Sequence, residues 1–210
     1  MLEVELKSKE LKEFIYLELE KDRNEPIYIE ELEQITELQL DKLDIVGEPT
    51  DANIYDLVFF RNLKVCYLSN MDISDKELDM LNSVQSLQFL QLDNCSFTNN
   101  KKMELNLLGL VINECNTVKM KLYEDIKTLE KLHIVNCKNV DITGISKLSN
   151  LSKLYLQNLK LPDIDEVQQL KNLVYLNLNG SEIADLTKIQ GNKKILIEYE
   201  EINGLYDKNY

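Results

Sequence analysis

One apolar pattern, L-x-x-L-x-L-x-x-(N/C/L)-x-(I/L), recurs along this 210-residue chain. Successive copies begin 20 to 28 residues apart, at Ile35, Leu63, Leu87, Leu107, Leu129, Leu151 and Leu173. A fixed period of this length indicates units that bury their apolar faces only by stacking on their neighbours. Within each copy, positions 4 to 6 alternate as a strand does, so leucines point inward and the residues between them point outward.

The repeat predicts the fold class, because this consensus at this period is typical of leucine-rich repeats. We expect an α/β right-handed solenoid with a concave parallel β-sheet, short helices and 3₁₀ turns on the convex side, and an α-helical N-terminal cap. The predicted divisions are a cap at 1–34, seven repeats at 35–191, and a capping strand and tail at 192–210. Together they form one continuous domain.

The segments between repeats give local predictions. In the cap, Leu2, Val4 and Leu6 alternate as a strand does, and Ser8 precedes a helix that ends near Pro26. Its apolar face consists of Leu11, Phe14, Ile15 and Leu19. Convex helical turns are expected at 75–83 and 142–148, a loop at 47–50, and irregular chain after Phe97. Residues 195–199 predict an edge strand, protected from further pairing by Glu198, Glu200 and Glu201.

Charge is unevenly distributed along the chain. The net charge is −13, with −11 in residues 1–60, +1 in 61–197 and −3 in the last 13 residues. Nucleic acid is therefore a poor candidate partner. The acidic ends are interpreted as solvated caps, with docking of a basic protein as the alternative. No apolar run is long enough for membrane insertion, and MLEVELKSKELKE lacks signal-peptide features, so a cytoplasmic location is expected unless an export signal was removed.

The four cysteines fit the repeat register. Cys66 occupies position 4, and Cys95, Cys115 and Cys137 occupy the inward position 9. They predict buried, reduced thiols, although sulfurs stacked on neighbouring coils leave a strained disulfide geometrically possible. With one histidine and no C-x-x-C pair, neither a metal nor another cofactor is predicted.

The segment Glu31–Ile45, ELEQITELQLDKLDI, resembles the junction of helical cap and first repeat in internalin-type proteins of Gram-positive bacteria. The 22-residue repeats with short convex turns are similar as well, and the resemblance covers roughly residues 8–200. Internalins are exported adhesins that recognise host-cell proteins. The resemblance therefore implies a helix-capped solenoid and a role in protein recognition.

Positions 3, 5 and 7 of each repeat are expected to project from the concave sheet, where solenoids usually bind partners. They hold an apolar group, Val65, Tyr67, Phe89 and Val111, and a basic and aromatic group, Lys131, His133, Lys153, Tyr155 and Tyr175. Gln91 and Asn177 complete the candidate binding residues. Contact with a partner is the favoured interpretation, and packing between neighbouring strands is the alternative.

These observations predict a monomeric, non-enzymatic module, an adaptor or scaffold that binds a protein on its concave face. The expected neighbours of His133 at position 5, Val111 and Tyr155, include no nucleophile to activate, and no catalytic motif occurs. Two alternatives are an inhibitor or immunity protein that wraps a basic enzyme or toxin, and an internalin-like adhesin whose export signal was removed.

Overall fold

The computed structural model describes residues 2–42, 52–98, 101–184, 186, 189 and 195–199. Its helices are α1 (Lys9–Glu18), α2 (Ile29–Leu32) and α3 (Asp75–Ser83), with 3₁₀ helices at Ile54–Phe59, Met120–Leu122, Ile145–Lys147 and Asp165–Gln169. The strands are β1 (Glu37–Asp41), β2 (Val65–Ser69), β3 (Asp72–Ile73), β4 (Phe89–Asp93), β5 (Ser96–Phe97), β6 (Gly109–Asn113), β7 (Thr117–Lys119), β8 (Lys131–Val135), β9 (Asn139–Asp141), β10 (Lys153–Gln157), β11 (Lys160–Leu161), β12 (Tyr175–Asn177), β13 (Glu182–Ile183) and β14 (Leu196–Glu198).

Eight of these strands form one parallel sheet in the order β1-β2-β4-β6-β8-β10-β12-β14, so each coil pairs only with its neighbours. The register is unshifted: the residues at position 4 pair in one row, from Leu38 and Cys66 to Leu176 and Ile197. A slip of one residue would turn every inward leucine to solvent, so burial fixes this register. The predicted leucine-rich repeat solenoid is confirmed.

The core runs along the solenoid axis, and all four cysteines lie in it as buried free thiols. Position 9 has a defined hydrogen-bonding role. Its side chains donate to the position-6 carbonyl of the preceding coil, from Cys95, Cys115, Cys137 and Ser181 to Leu68, Leu92, Ile112 and Leu156. Burial raises the pKa of Cys66 to about 12 and that of Cys95 to about 11, so both thiols are protonated at neutral pH.

The convex segments largely match expectation. The helix predicted at 75–83 is α3, the turn predicted near 142–148 contains the 3₁₀ helix Ile145–Lys147, and β14 lies within the predicted edge strand. The segment that follows Phe97 has no helix or strand in its described part, residues 98 and 101–108. The predicted loop at 47–50 and residues Glu200 and Glu201 lie outside the described residues.

Two predictions about the N-terminal cap are wrong. The strand at residues 2–6 is reduced to one antiparallel bridge between Glu3 and Tyr28. Helix α1 begins after Ser8 as predicted but ends at Glu18, well before Pro26. Glu20 adopts a left-handed conformation (φ 51°), and the N–H of Lys21 donates to the Tyr16 carbonyl at 2.9 Å, which closes the helix.

The face that α1 buries also differs from the prediction. Leu11 and Ile15 are buried and Leu19 is partly buried, as expected. Phe14 is 38% exposed, and Tyr16 is buried in its place. The buried face is therefore rotated toward Tyr16, whose hydroxyl donates to the Glu25 carbonyl at 3.2 Å.

A buried carboxylate joins the cap to the first convex turn. Asp56 is fully buried and accepts hydrogen bonds from the N–H groups of Lys7, at 3.0 and 3.1 Å, and Ser8, at 2.9 Å. Ser8 in turn caps α1 by accepting from the Leu11 N–H. The Asp56 carboxylate therefore satisfies backbone donors that would otherwise be buried at the start of the helix.

The residue at position 8, which follows the concave strand, is left-handed in six successive coils. These residues, with φ between 48° and 74°, are Asn70, Asn94, Glu114, Asn136, Asn158 and Gly180. Asparagine tolerates this conformation better than other residues with a side chain, apart from aspartate. Its carboxamides also bond between coils: Asn94 Nδ2 donates to Asn70 Oδ1 at 2.7 Å, and Asn158 Nδ2 donates to Asn136 Oδ1 at 2.8 Å. Glu114 interrupts this row.

Replacing Asp56 by alanine should lower the free energy of unfolding by about 2 kcal/mol, because buried N–H groups lose a charged acceptor. Chemical denaturation measures the loss, and amide exchange should accelerate in α1. The control is Asp79→Ala, which removes an exposed carboxylate paired with Lys101 and should cost less than about 1 kcal/mol. Equal losses in the two variants would contradict the role of Asp56.

Glu114→Asn should stabilise the protein by about 0.5 kcal/mol, because asparagine accepts the left-handed backbone more readily than glutamate. The new carboxamide would also lie in line with Asn94 and Asn136. Chemical denaturation provides the measurement. Asn136→Glu is the matched reverse change and should destabilise; a gain in stability from it would contradict the argument.

Candidate protein-binding face

The concave sheet holds the candidate residues on six neighbouring strands, from β2 to β12. Unshifted pairing places Val65 beside Phe89, Lys131 beside Lys153, and His133 beside Tyr155. The edge strand β14 continues the same rows, because Leu196 pairs with Tyr175 and Glu198 pairs with Asn177. Leu196 is 63% exposed and extends the concave face by one strand.

The basic and aromatic residues form a continuous cluster, which we call the lysine–aromatic patch: Lys131, His133, Lys153, Tyr155 and Tyr175. The His133 and Tyr155 rings stack with centroids 3.8 Å apart and an interplanar angle of 26°. The Tyr155 and Tyr175 rings follow at 5.1 Å and 47°. Both lysines are exposed and the three rings are partly exposed, so the cluster presents flat aromatic surface beside two ammonium groups.

One carboxylate fixes the end of this patch. Glu198 Oε2 accepts from the Tyr175 hydroxyl at 2.6 Å and from Asn177 Nδ2 at 3.0 Å. The hydrogen bond to Glu198 raises the pKa of Tyr175 above its ordinary value. Asn177, one of the candidate contact residues, is only 5% exposed, and its Nδ2 donates to the Tyr175 hydroxyl at 3.2 Å.

The apolar candidates form a second cluster, the apolar patch, consisting of Val65, Tyr67, Phe89 and Val111. Tyr67 and Phe89 meet with ring centroids 6.0 Å apart and an interplanar angle of 55°. A Cβ on Gly109 would lie 2.8 Å from Phe89 Cδ2, so glycine allows the Phe89 ring to lie across β6. Gln91 is partly exposed beside this patch, and its Nε2 donates to Asp93 Oδ2 at 2.6 Å.

Charge on the concave face changes sign along the solenoid. The outward positions of β1, β2, β4 and β6 carry three acids and no base, namely Glu37, Asp41 and Asp93. The outward positions of β8, β10 and β12 carry two bases and no acid, namely Lys131 and Lys153. The face is therefore acidic beside the apolar patch and basic beside the aromatic stack.

The geometry gives His133 a packing role. Its ring stacks on Tyr155, and its strand neighbour on the other side is Val111, as predicted. Burial, and secondarily the charge of Lys131, lowers the pKa of His133 below its ordinary value. Among the described residues, no group of three or more His, Cys, Asp or Glu side chains could hold a metal ion. None of the described helices has the length and apolarity needed to cross a bilayer.

Comparison with solved structures agrees with the architecture. An internalin (inlF) of Listeria monocytogenes str. 4b F2365 matches with a TM-score of 0.62 and 19% identity over 91% of this chain and 62% of that chain. Internalin C2 (inlC2) of the same strain matches with a TM-score of 0.64 and 17% identity over 92% of this chain and 93% of that chain. A leucine-rich repeat protein of Leptospira interrogans matches with a TM-score of 0.54 and 25% identity over 68% of this chain and 38% of that chain.

The chain thus has the fold of a leucine-rich repeat protein. Within that class, the helical cap and short convex turns make its fold internalin-like. No protein-family model matches the chain, and no curated protein matches it in sequence.

The free protein should show a depressed His133 pKa in an NMR titration of its imidazole protons. We expect a midpoint below about 6.5, the value for an unperturbed histidine. Lys131→Gln should raise the midpoint only partly, because burial is the larger cause. The folded state favours the neutral ring of His133. Its contribution to the free energy of unfolding is therefore present above the unfolded-state pKa and is lost as pH falls toward the lower folded-state pKa. A midpoint at or above that of a free histidine would contradict this environment.

Proposed function

We propose that this chain is a protein-recognition module, an adaptor or scaffold that binds a protein partner along its concave face. The main support for the proposal is the lysine–aromatic patch, in which three neighbouring rings lie beside two exposed lysines. Tyrosine side chains bury large area on binding and are enriched in binding hot spots. Contacts between neighbouring rings restrict these side chains before a partner arrives, which reduces the entropy lost on binding.

Packing between strands does not account for the whole patch. Aromatic neighbours do stabilise a sheet, but like charges on directly paired residues destabilise it. Lys131 and Lys153 are such a pair. Their arrangement is unfavourable for the fold alone and becomes favourable when a partner supplies negative charge.

The inhibitor alternative draws on the net charge of −13 and on the acidic outward residues of β1 and β4. Such a surface would attract a basic enzyme or toxin and accelerate association. The lysines of β8 and β10 would oppose a partner that is basic throughout. A face of mixed charge therefore favours an adaptor that binds a partner of mixed charge. If the association rate instead falls steeply as the salt concentration rises, the inhibitor would be favoured.

Affinity capture from a lysate of the source organism, read by quantitative mass spectrometry, tests the proposal. Tyr155→Ala combined with Tyr175→Ala should deplete the captured partner at least about tenfold, because hot-spot truncations cost more than about 1 kcal/mol each. Tyr67→Ala with Phe89→Ala tests the apolar patch in the same way.

The matched control is Phe14→Ala with Leu17→Ala, which removes exposed apolar side chains from α1, away from the sheet. This variant should capture the partner as the unmodified protein does. Equal capture by both concave variants would move the interface off the sheet, provided that thermal denaturation shows all variants folded.

A further inference from the structure

Two lysines of the concave face, Lys131 and Lys153, lie directly opposite each other on paired strands. Lys101, Lys102 and Lys160 each pair with a carboxylate on their own or a neighbouring coil. Lys131 and Lys153 are exposed and form no ion pair among the described residues. Because β8 and β10 pair in register, the two Cα atoms lie about 4.8 Å apart. The fold thus brings two positive charges together and leaves both uncompensated.

The surface beside this pair is flat and partly apolar. The His133 and Tyr155 rings stack at 3.8 Å on the same two strands, and Tyr175 extends the ring surface onto β12. The Tyr175 hydroxyl is already bonded to Glu198, which leaves its ring as the available contact. An anionic group on the lysines would therefore have apolar contact area directly next to it.

We propose that the lysine–aromatic patch binds an acidic segment of a protein partner. One or two Asp or Glu carboxylates bond to Lys131 and Lys153, and an adjacent apolar or aromatic side chain packs on Tyr155 and Tyr175. This inference rests on the proposed function and names the chemistry that the partner presents. Charge complementarity carries it, because the carboxylates relieve the repulsion between the paired lysines.

The charge pattern favours a protein segment over a nucleic acid. Single strands also stack on aromatic rings, but they need a positive groove that follows their backbone over several nucleotides. Here the positive charge covers two strands only. Glu198 lies at one end of the patch, and Asp93 and Asp41 lie on the strands toward the other end. A continuous polyanion would meet these carboxylates, whereas a short acidic segment would not.

The test uses a random peptide display library selected on the immobilised protein, followed by affinity measurement on synthetic copies of the enriched peptides. We expect enrichment of Asp or Glu next to aromatic or aliphatic residues. Lys131→Glu with Lys153→Glu should weaken these peptides at least tenfold, and raising the salt concentration should weaken their binding to the unmodified protein. A 20-nucleotide oligo(U) RNA is titrated in parallel.

The matched control is Lys138→Glu with Lys171→Glu, the same change in charge at exposed lysines off the outward rows of the sheet. It should leave peptide affinity within twofold. Failure to enrich acidic peptides, or full binding by the Lys131/Lys153 variant, would overturn the inference. RNA binding that is lost in the Lys131/Lys153 variant would overturn it in favour of nucleic acid. If Tyr155→Ala with Tyr175→Ala abolishes peptide binding while the lysine reversals do not, the concave site stands and only its acidic specificity fails.

Discussion

The unshifted pairing of parallel strands is the constraint on which the rest of this structure depends. Each coil buries its leucines against the coils on both sides, so every repeat must adopt the register of its neighbour. Positions 3, 5 and 7 therefore form straight outward rows across the sheet. The stacked rings of His133 and Tyr155 and the uncompensated pair of Lys131 and Lys153 both follow from that register.

Near each described end of the solenoid, one carboxylate has a structural role. At the N-terminal end, buried Asp56 accepts from backbone donors and holds the cap helix on the first coils. At the C-terminal end, Glu198 joins the last strand to Tyr175 and Asn177. The first carboxylate secures the cap, and the second fixes the orientation of a ring in the candidate binding face. Part of the acidity at the chain ends thus has a structural role beyond solubility.

The sequence was sufficient for the features that depend on periodicity. The repeat predicted the strand register, the outward rows and the burial of Cys95, because a residue's position in the repeat determines which way it points. The sequence also marks the left-handed backbone at position 8, because four repeats have asparagine there: Asn70, Asn94, Asn136 and Asn158.

Contacts between distant segments could not be read from periodicity. The link from Asp56 to Ser8 spans 48 residues, and no local pattern marks it. The early end of α1 depends on a backbone hydrogen bond to Tyr16 rather than on Pro26. Glu198 lies on the edge strand β14, and periodicity gave no sign that its side chain also bonds to Tyr175 and Asn177 on the neighbouring strand. Asn177 is buried because β14 pairs beside it, with Glu198 as its strand neighbour.

Hydroxyl-radical footprinting of tyrosines, with and without the captured partner, tests most directly whether the concave sheet is the recognition surface. Tyr155 and Tyr175 report on the lysine–aromatic patch, while Tyr28 and Tyr55 lie outside the sheet with comparable partial exposure. If the concave sheet is the recognition surface, partner binding reduces oxidation of Tyr155 and Tyr175 and leaves that of Tyr28 and Tyr55 unchanged. Protection of Tyr28 or Tyr55 with unchanged oxidation of Tyr155 and Tyr175 would contradict binding on the concave sheet.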